Sequence, residues 1–208
     1  MVGHVVLLGD SVFDNAAYVP GGPSVMEHLR SLLPTDWKVT LLAIDGSKVA
    51  SVKKQLRQLP ADATHLVLSI GGNDALGYSW FIMSEPADSY ASALSGLAKI
   101  RDDFSNEYRQ MLSSVRALGR PLVVCTIYDS VPGLVPAQTA GLALFNDVVT
   151  RQAIADGATL LDLRLICDQQ SDYSEISPIE PSASGGAKIA RAIQIALLHP
   201  DRGQRVVV

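Results

Sequence analysis

The sequence predicts a single three-layer α/β/α domain built on a parallel sheet. Short β-branched runs alternate with longer amphipathic stretches about five times, the pattern of βα units whose strands are buried on both faces. Hydrophobic residues make up 48% and charged residues 18% of the 208 residues, which suffices for one core and is far from a disordered or fibrous composition. No repeat, low-complexity tract or linker interrupts the series, so one domain is expected over residues 1–208.

Taken in order, residues 4–8 are a short aliphatic run and open as a strand. Residues 24–33 carry helical periodicity, 37–44 read as a second strand, and 48–58 as a second helix. Residues 65–70 give the third strand. An apolar stretch follows at 75–83, then a helix over about 89–118 that Gly96 can break. Residues 121–128 form the fourth strand, 136–156 a helix despite Gly141, 159–163 a short fifth strand, and 182–198 a terminal helix.

Several function classes are excluded at this level. The net charge is −4 and the 17 basic residues are dispersed, so no phosphate-tracking surface forms and nucleic acid is not expected as a partner. The two cysteines, Cys125 and Cys167, lie outside any C-x-x-C or Cys/His ligand pattern, so neither a disulfide framework nor a metal is expected. The longest apolar runs are strand-length and no basic, apolar leader opens the chain, which predicts a soluble, cytoplasmic protein without a membrane span. The glycines and lysine between Ser182 and Lys188 lack phosphate-loop spacing, and no G-x-G-x-x-G follows the first strand. No cofactor is expected.

In an open parallel sheet, ligands bind beyond the carboxyl ends of the strands, so the junctions there carry the chemistry. Strand one runs into Gly9-Asp10-Ser11, which places a serine hydroxyl at that edge beside backbone amides able to face an oxyanion. Turn chemistry alone also favours those residues. Strand two ends in Asp45-Gly46, and strand three in Gly71-Gly72-Asn73-Asp74, where the glycines permit close backbone approach and Asn73 offers an amide donor.

Together these junctions resemble the SGNH/GDSL hydrolases, esterases and lipases on a flavodoxin-like sandwich, over nearly the whole chain. The resemblance implies a five-stranded parallel sheet in the order 2-1-3-4-5. It places the nucleophile on Ser11 and the oxyanion donors on the backbone amides of Ser11 and Gly46 and the side-chain amide of Asn73. The activity it implies is hydrolysis of a small-molecule carboxylic ester through an acyl-serine intermediate. The run at 78–83 can then wall an acyl pocket, or simply pack on the core.

At the last motif the chain departs from the family. The usual histidine base aligns with Glu180, and the acidic residue three positions earlier aligns with Ser177. Asp172 and Glu175 lack the spacing for the orienting role. His4 and His65 begin strands at the opposite sheet edge, His4 roughly 20 Å from Ser11 at ~3.3 Å per residue. His199 lies roughly 25 Å beyond Glu180 along a helix rising ~1.5 Å per residue. His28, about a turn into the first helix, is expected on that helix's surface.

A carboxylate can accept the serine proton, and unlike imidazole it needs no second carboxylate to select a tautomer, so the loss of an acid at position 177 is coherent with Glu180 as base. Glutamate has a proton affinity roughly 3 kcal/mol below imidazole's, which burial can partly restore. The bland alternative is an acid placed by the helix macrodipole in an impaired pseudoenzyme or binding module. An acyltransferase on the same site is a further alternative.

Overall fold

Each β-branched run forms a strand, and all the strands are parallel. The computed structural model describes residues 3–84, 86–198 and 206–207. Strands β1 His4–Gly9, β2 Lys38–Leu41, β3 His65–Ser69, β4 Leu122–Cys125, β5 Thr159–Leu161 and β6 Val206–Val207 lie in the order β2-β1-β3-β4-β5-β6. The expected order 2-1-3-4-5 is therefore present and is extended by one two-residue strand, which pairs Val206 with Leu160 and Val207 with Leu161.

The helices are α1 Val25–Leu32, α2 Val52–Leu56, α3 Gly72–Ser84, α4 Tyr90–Arg116, α5 Pro136–Ala155, α6 Leu163–Ile166 and α7 Ala183–Leu198. Ser24 caps α1 reciprocally: its hydroxyl accepts from the Glu27 amide at 3.3 Å while Glu27 accepts from the Ser24 amide at 2.7 Å. The second helix is shorter than expected, a 3₁₀ turn over Val49–Ser51 leading into α2. Helix α4 runs unbroken through Gly96, since one interior glycine costs only ~1 kcal/mol against a long buried face.

Strand β1 shows how the layers separate. Val5 and Leu7 point to one face and Val6 and Leu8 to the other, the period of two that a strand imposes. The first pair packs with Val25 and Leu29 of α1 and Ile189 and Ile193 of α7. The second pair packs with Val52 of α2, Phe104 and Tyr108 of α4, and Phe145 of α5.

Side-chain amides take hold of the backbone at the ends of two strands. At the end of β1, Gln55 of α2 holds both sides of Gly9: its Oε1 accepts from the Gly9 amide at 2.8 Å and its Nε2 donates to the Gly9 carbonyl at 2.7 Å. Beyond β4, Asn146 of α5 does the same for Ile127, at 2.8 Å in both directions. Gly9 itself sits at φ +128°, where a Cβ would fall 1.7 Å from the Ser69 carbonyl oxygen, so only glycine fits between β1 and β3. The crevice beyond these two strands is the switch point of the sheet, where successive connections leave in opposite directions.

Candidate active site

Ser11 stands on the tight turn that follows β1. The Asp10 amide donates to the Ser69 carbonyl at 3.2 Å, and the Asp10 carbonyl accepts from Phe13 and Asp14, each at 3.1 Å. This winds the chain away from the sheet and leaves Ser11 nearly buried at the floor of a cleft. Among the described residues, neither the Ser11 nor the Gly46 backbone N–H has a hydrogen-bond partner.

Gly46 lies on the turn after β2, at φ +73°, with the Ser47 amide donating to Ile44 at 3.1 Å. Two side chains from the first turn of α3 hold this loop. Asn73 Nδ2 donates to the Ser47 carbonyl at 3.0 Å, and the Asp74 carboxylate accepts from the Val49 amide at 3.1 Å. The bond to Ser47 occupies one of the two N–H groups of Asn73 and leaves the other for a ligand. Both Ser11 and Asn73 line the cleft.

Glu180 is 3% exposed and its backbone is pinned from several sides. Its amide donates to Ser177 at 3.2 Å and its carbonyl accepts from Ser174 at 2.9 Å. Asn15 Nδ2 donates to the Pro181 carbonyl at 3.0 Å, and the Tyr128 hydroxyl donates to the Ile179 carbonyl. Burial pushes the Glu180 carboxyl above the ordinary glutamate value; the Ser177 hydroxyl opposes the rise, the Asp45 charge adds to it, and the Ser11 hydroxyl opposes it. The Oε2 atom is buried without a hydrogen-bond partner.

Several groups that shape this site carry no signal in the sequence. Asp10 is buried beside Ser11, and loss of water pushes its carboxyl up to about 7, against the Val12 amide that donates to it at 3.1 Å. Asn15 is fully buried and spans from the Pro181 carbonyl to the α1 entrance, where it accepts from Val25 at 3.0 Å. At the rim, the Tyr18 hydroxyl donates to Asp45 at 2.6 Å, and this bond leads the effects that push the phenol up to about 12.

The remaining candidates lie elsewhere. His4 is bracketed by Asp62 and Thr40, both at 2.8 Å, and His65 stacks on Trp37 at 5.3 Å. His28 is spent on the Ala183 carbonyl at 3.0 Å, and His199 lies outside the described residues. Glu175 is exposed. Asp172 is fully buried, bonded to Lys188 at 2.7 Å and to the Gln169 amide at 3.0 Å, and so serves the entry to α7. Cys125 and Cys167 are buried and free; loss of water pushes the Cys167 thiol up to about 12 and Cys125 higher still, so neither is a nucleophile at neutral pH. Among the described residues, no cluster of three potential metal ligands forms and no helix is long and apolar enough to cross a membrane.

The cleft that holds Ser11 runs on between α3 and α5 and has a cavity volume of about 100 Å³. Of the 78–83 run, Ser79 and Ile82 line it and Tyr78 packs on Phe145 at 5.9 Å. The side chains of Trp80 and Phe81 lie outside the described residues.

Solved structures of similar fold include a lipase from a goat rumen metagenome (TM-score 0.71, 15% identity, covering 94% of this chain and 97% of that one). An extracellular lipase of Streptomyces rimosus matches with TM-score 0.66 and 19% identity over 90% of this chain and 96% of that one. A variant of the acetyl xylan esterase Axe2 of Geobacillus stearothermophilus matches with TM-score 0.64 and 17% identity, covering 92% and 94%. No curated protein matches the chain significantly in sequence. The GDSL-like Lipase/Acylhydrolase family, however, matches residues 7–200, the stretch that carries the Ser11 turn, the Asn73 helix start and the Glu180 loop, and the chain belongs to that family.

Proposed function

We propose that the protein hydrolyses carboxylic esters with a Ser11/Glu180 dyad in place of a triad. The observation that carries this reading is Glu180 itself: a buried carboxyl, fixed through its backbone, raised in pKa by burial and held back in part by the Ser11 hydroxyl. Glu180 takes the proton as Ser11 Oγ attacks the ester carbonyl carbon. The resulting oxyanion accepts hydrogen bonds from the Ser11 and Gly46 amides and the unused N–H of Asn73, each donor worth roughly 3 to 4 kcal/mol. Collapse returns the proton to the departing alkoxide and leaves an acyl-serine. Glu180 then deprotonates a water that attacks the acyl carbon, and the second tetrahedral intermediate releases the acid and regenerates Ser11.

The raised pKa supports the same assignment, because it moves a weak base toward the affinity the step needs. The test is a panel of short-chain aryl esters on wild type and Ser11→Ala, with fluorophosphonate labelling in parallel. Hydrolysis and labelling of wild type alone support Ser11 as the nucleophile, and loss of hydrolysis in folded Glu180→Gln supports the dyad. An unlabelled, inactive wild type makes the site a binding module, and transesterification of an added alcohol in preference to hydrolysis makes it an acyltransferase.

A further inference from the structure

The cleft extends well past the dyad, and its far part differs in chemistry from its near part. Asn73 stands in the first turn of α3 and Ile82 nine residues on, so the wall between them is roughly 13 Å long at ~1.5 Å per residue. Two polar side chains line this far part, and they are tied to each other and to the backbone: Gln138 Nε2 donates to Ser79 at 3.0 Å and Gln138 Oε1 accepts from the Val135 amide at 3.1 Å. What remains open to a ligand is Ala75, Leu76, Ile82, Leu142 and Phe145. A sugar, with several hydroxyls, would lose most of its water here for few partners, whereas an alkyl chain buries apolar surface against an apolar lining.

Gly141 stands at the end of this wall, buried in the interior of α5 and lining the cleft opposite Ile82. A Cβ built on it would lie 2.8 Å from Ile82 Cδ1. Glycine in a helix interior is destabilising by about 1 kcal/mol relative to alanine. Its presence keeps α3 and α5 close while leaving the cleft floor without a side chain.

We propose that this far part is the acyl site, that it takes a linear acyl chain of about eight to ten carbons, and that Gly141 and Ile82 set that length. The figure follows from the 13 Å wall and a zigzag chain of ~1.5 Å bonds that advances ~1.3 Å per carbon. The proposal rests on Ser11 as the nucleophile. An acetyl ester would fill only the mouth and leave the apolar wall against water, so acetyl esters are poor substrates for this chain.

The test is the chain-length profile of kcat/KM for 4-nitrophenyl esters from acetate to palmitate. Wild type is expected to peak at octanoate or decanoate. Gly141→Val is expected to move the peak to hexanoate or shorter and lower the decanoate-to-butyrate ratio at least tenfold, because one misplaced methyl group in an apolar pocket discriminates by about that factor. Gly141→Ala, the smaller change, shifts the ratio in the same direction if valine prevents folding, and Ile82→Ala added to Gly141→Ala reverses the shift. Equal losses on every ester would mean a packing role only and overturn the proposal. Calorimetric binding of octanoate to Ser11→Ala separates the two levels. Octanoate binding that Gly141→Val weakens, with no ester hydrolysed by wild type, refutes the hydrolase reading and keeps the acyl site. Hydrolysis with a peak at acetate refutes the acyl site and keeps the hydrolase.

Discussion

Replacing Glu180 by glutamine removes the proposed base while leaving almost everything that positions it. The contacts that hold residue 180 run through its backbone and its neighbours: the Ser174 amide to the Glu180 carbonyl, Asn15 to the Pro181 carbonyl and Tyr128 to the Ile179 carbonyl. None uses the carboxyl, so Glu180→Gln should fold. A positioned general base contributes typically 10²–10⁴-fold, and kcat should fall by about that factor. The base works ionised, so wild-type kcat/KM should rise with pH through the pKa of Glu180, at a value above the ordinary glutamate range because burial raises it. That limb should vanish in the variant. Stability should move the other way. A carboxyl whose folded pKa is raised favours the folded state while protonated and loses that contribution as pH increases, so glutamine should melt at or above wild type near neutrality and show no gain near pH 4. The assay is a pH series of initial rates beside thermal melts, with His28→Ala as comparison, since His28 is occupied by Ala183. Wild-type kcat in Glu180→Gln would refute the dyad, and a loss of activity matched by a loss of melting temperature would reduce Glu180 to a structural residue.

Two further outcomes follow from the same geometry. Asn73→Ala should lower kcat by about 10²-fold or more with little change in KM, because an oxyanion donor acts chiefly in the transition state; a change confined to KM would make Asn73 a ground-state binding group. Asp10→Asn should stabilise the protein at pH 8 and not at pH 3. The Asp10 carboxyl stays protonated in the fold up to about 7, whereas the unfolded chain ionises near 3.8, so wild type loses on the order of 4 kcal/mol as pH rises between those values. Urea unfolding at both pH values checks this, and an equal effect at both would show that Asp10 ionises normally.

What the sequence disclosed was chemistry that sits next to itself in the chain. Ser11 follows β1 directly and Asn73 follows β3 almost directly, so strand periodicity places both at one sheet edge. Glu180 was found by its place in a family motif. The side-chain amides that brace the backbone around the cleft carry no such signal. Gln55 acts on Gly9 across 46 residues, Asn15 on Pro181 across 166, and Asn146 on Ile127 across 19, and a lone buried amide has no periodicity to betray its partner. Strand β6 was missed for another reason, because two valines fall below the length at which alternation can be read.

The Asn15 bridge to Pro181 also orders events in time. The nucleophile turn, its strand and the loops after β2 and β3 lie before Asp74 and are joined by contacts of short to moderate span. Glu180, the proposed base, arrives only when α7 and its preceding loop dock against α1, closing a separation of 166 residues. Contacts of that span form late, because loop-closure entropy opposes them until the intervening structure exists. With Glu180 as the proposed base, a partly folded chain would carry a serine without its proton acceptor, and ester turnover is expected to appear only after this long-range docking rather than with the collapse of the sheet.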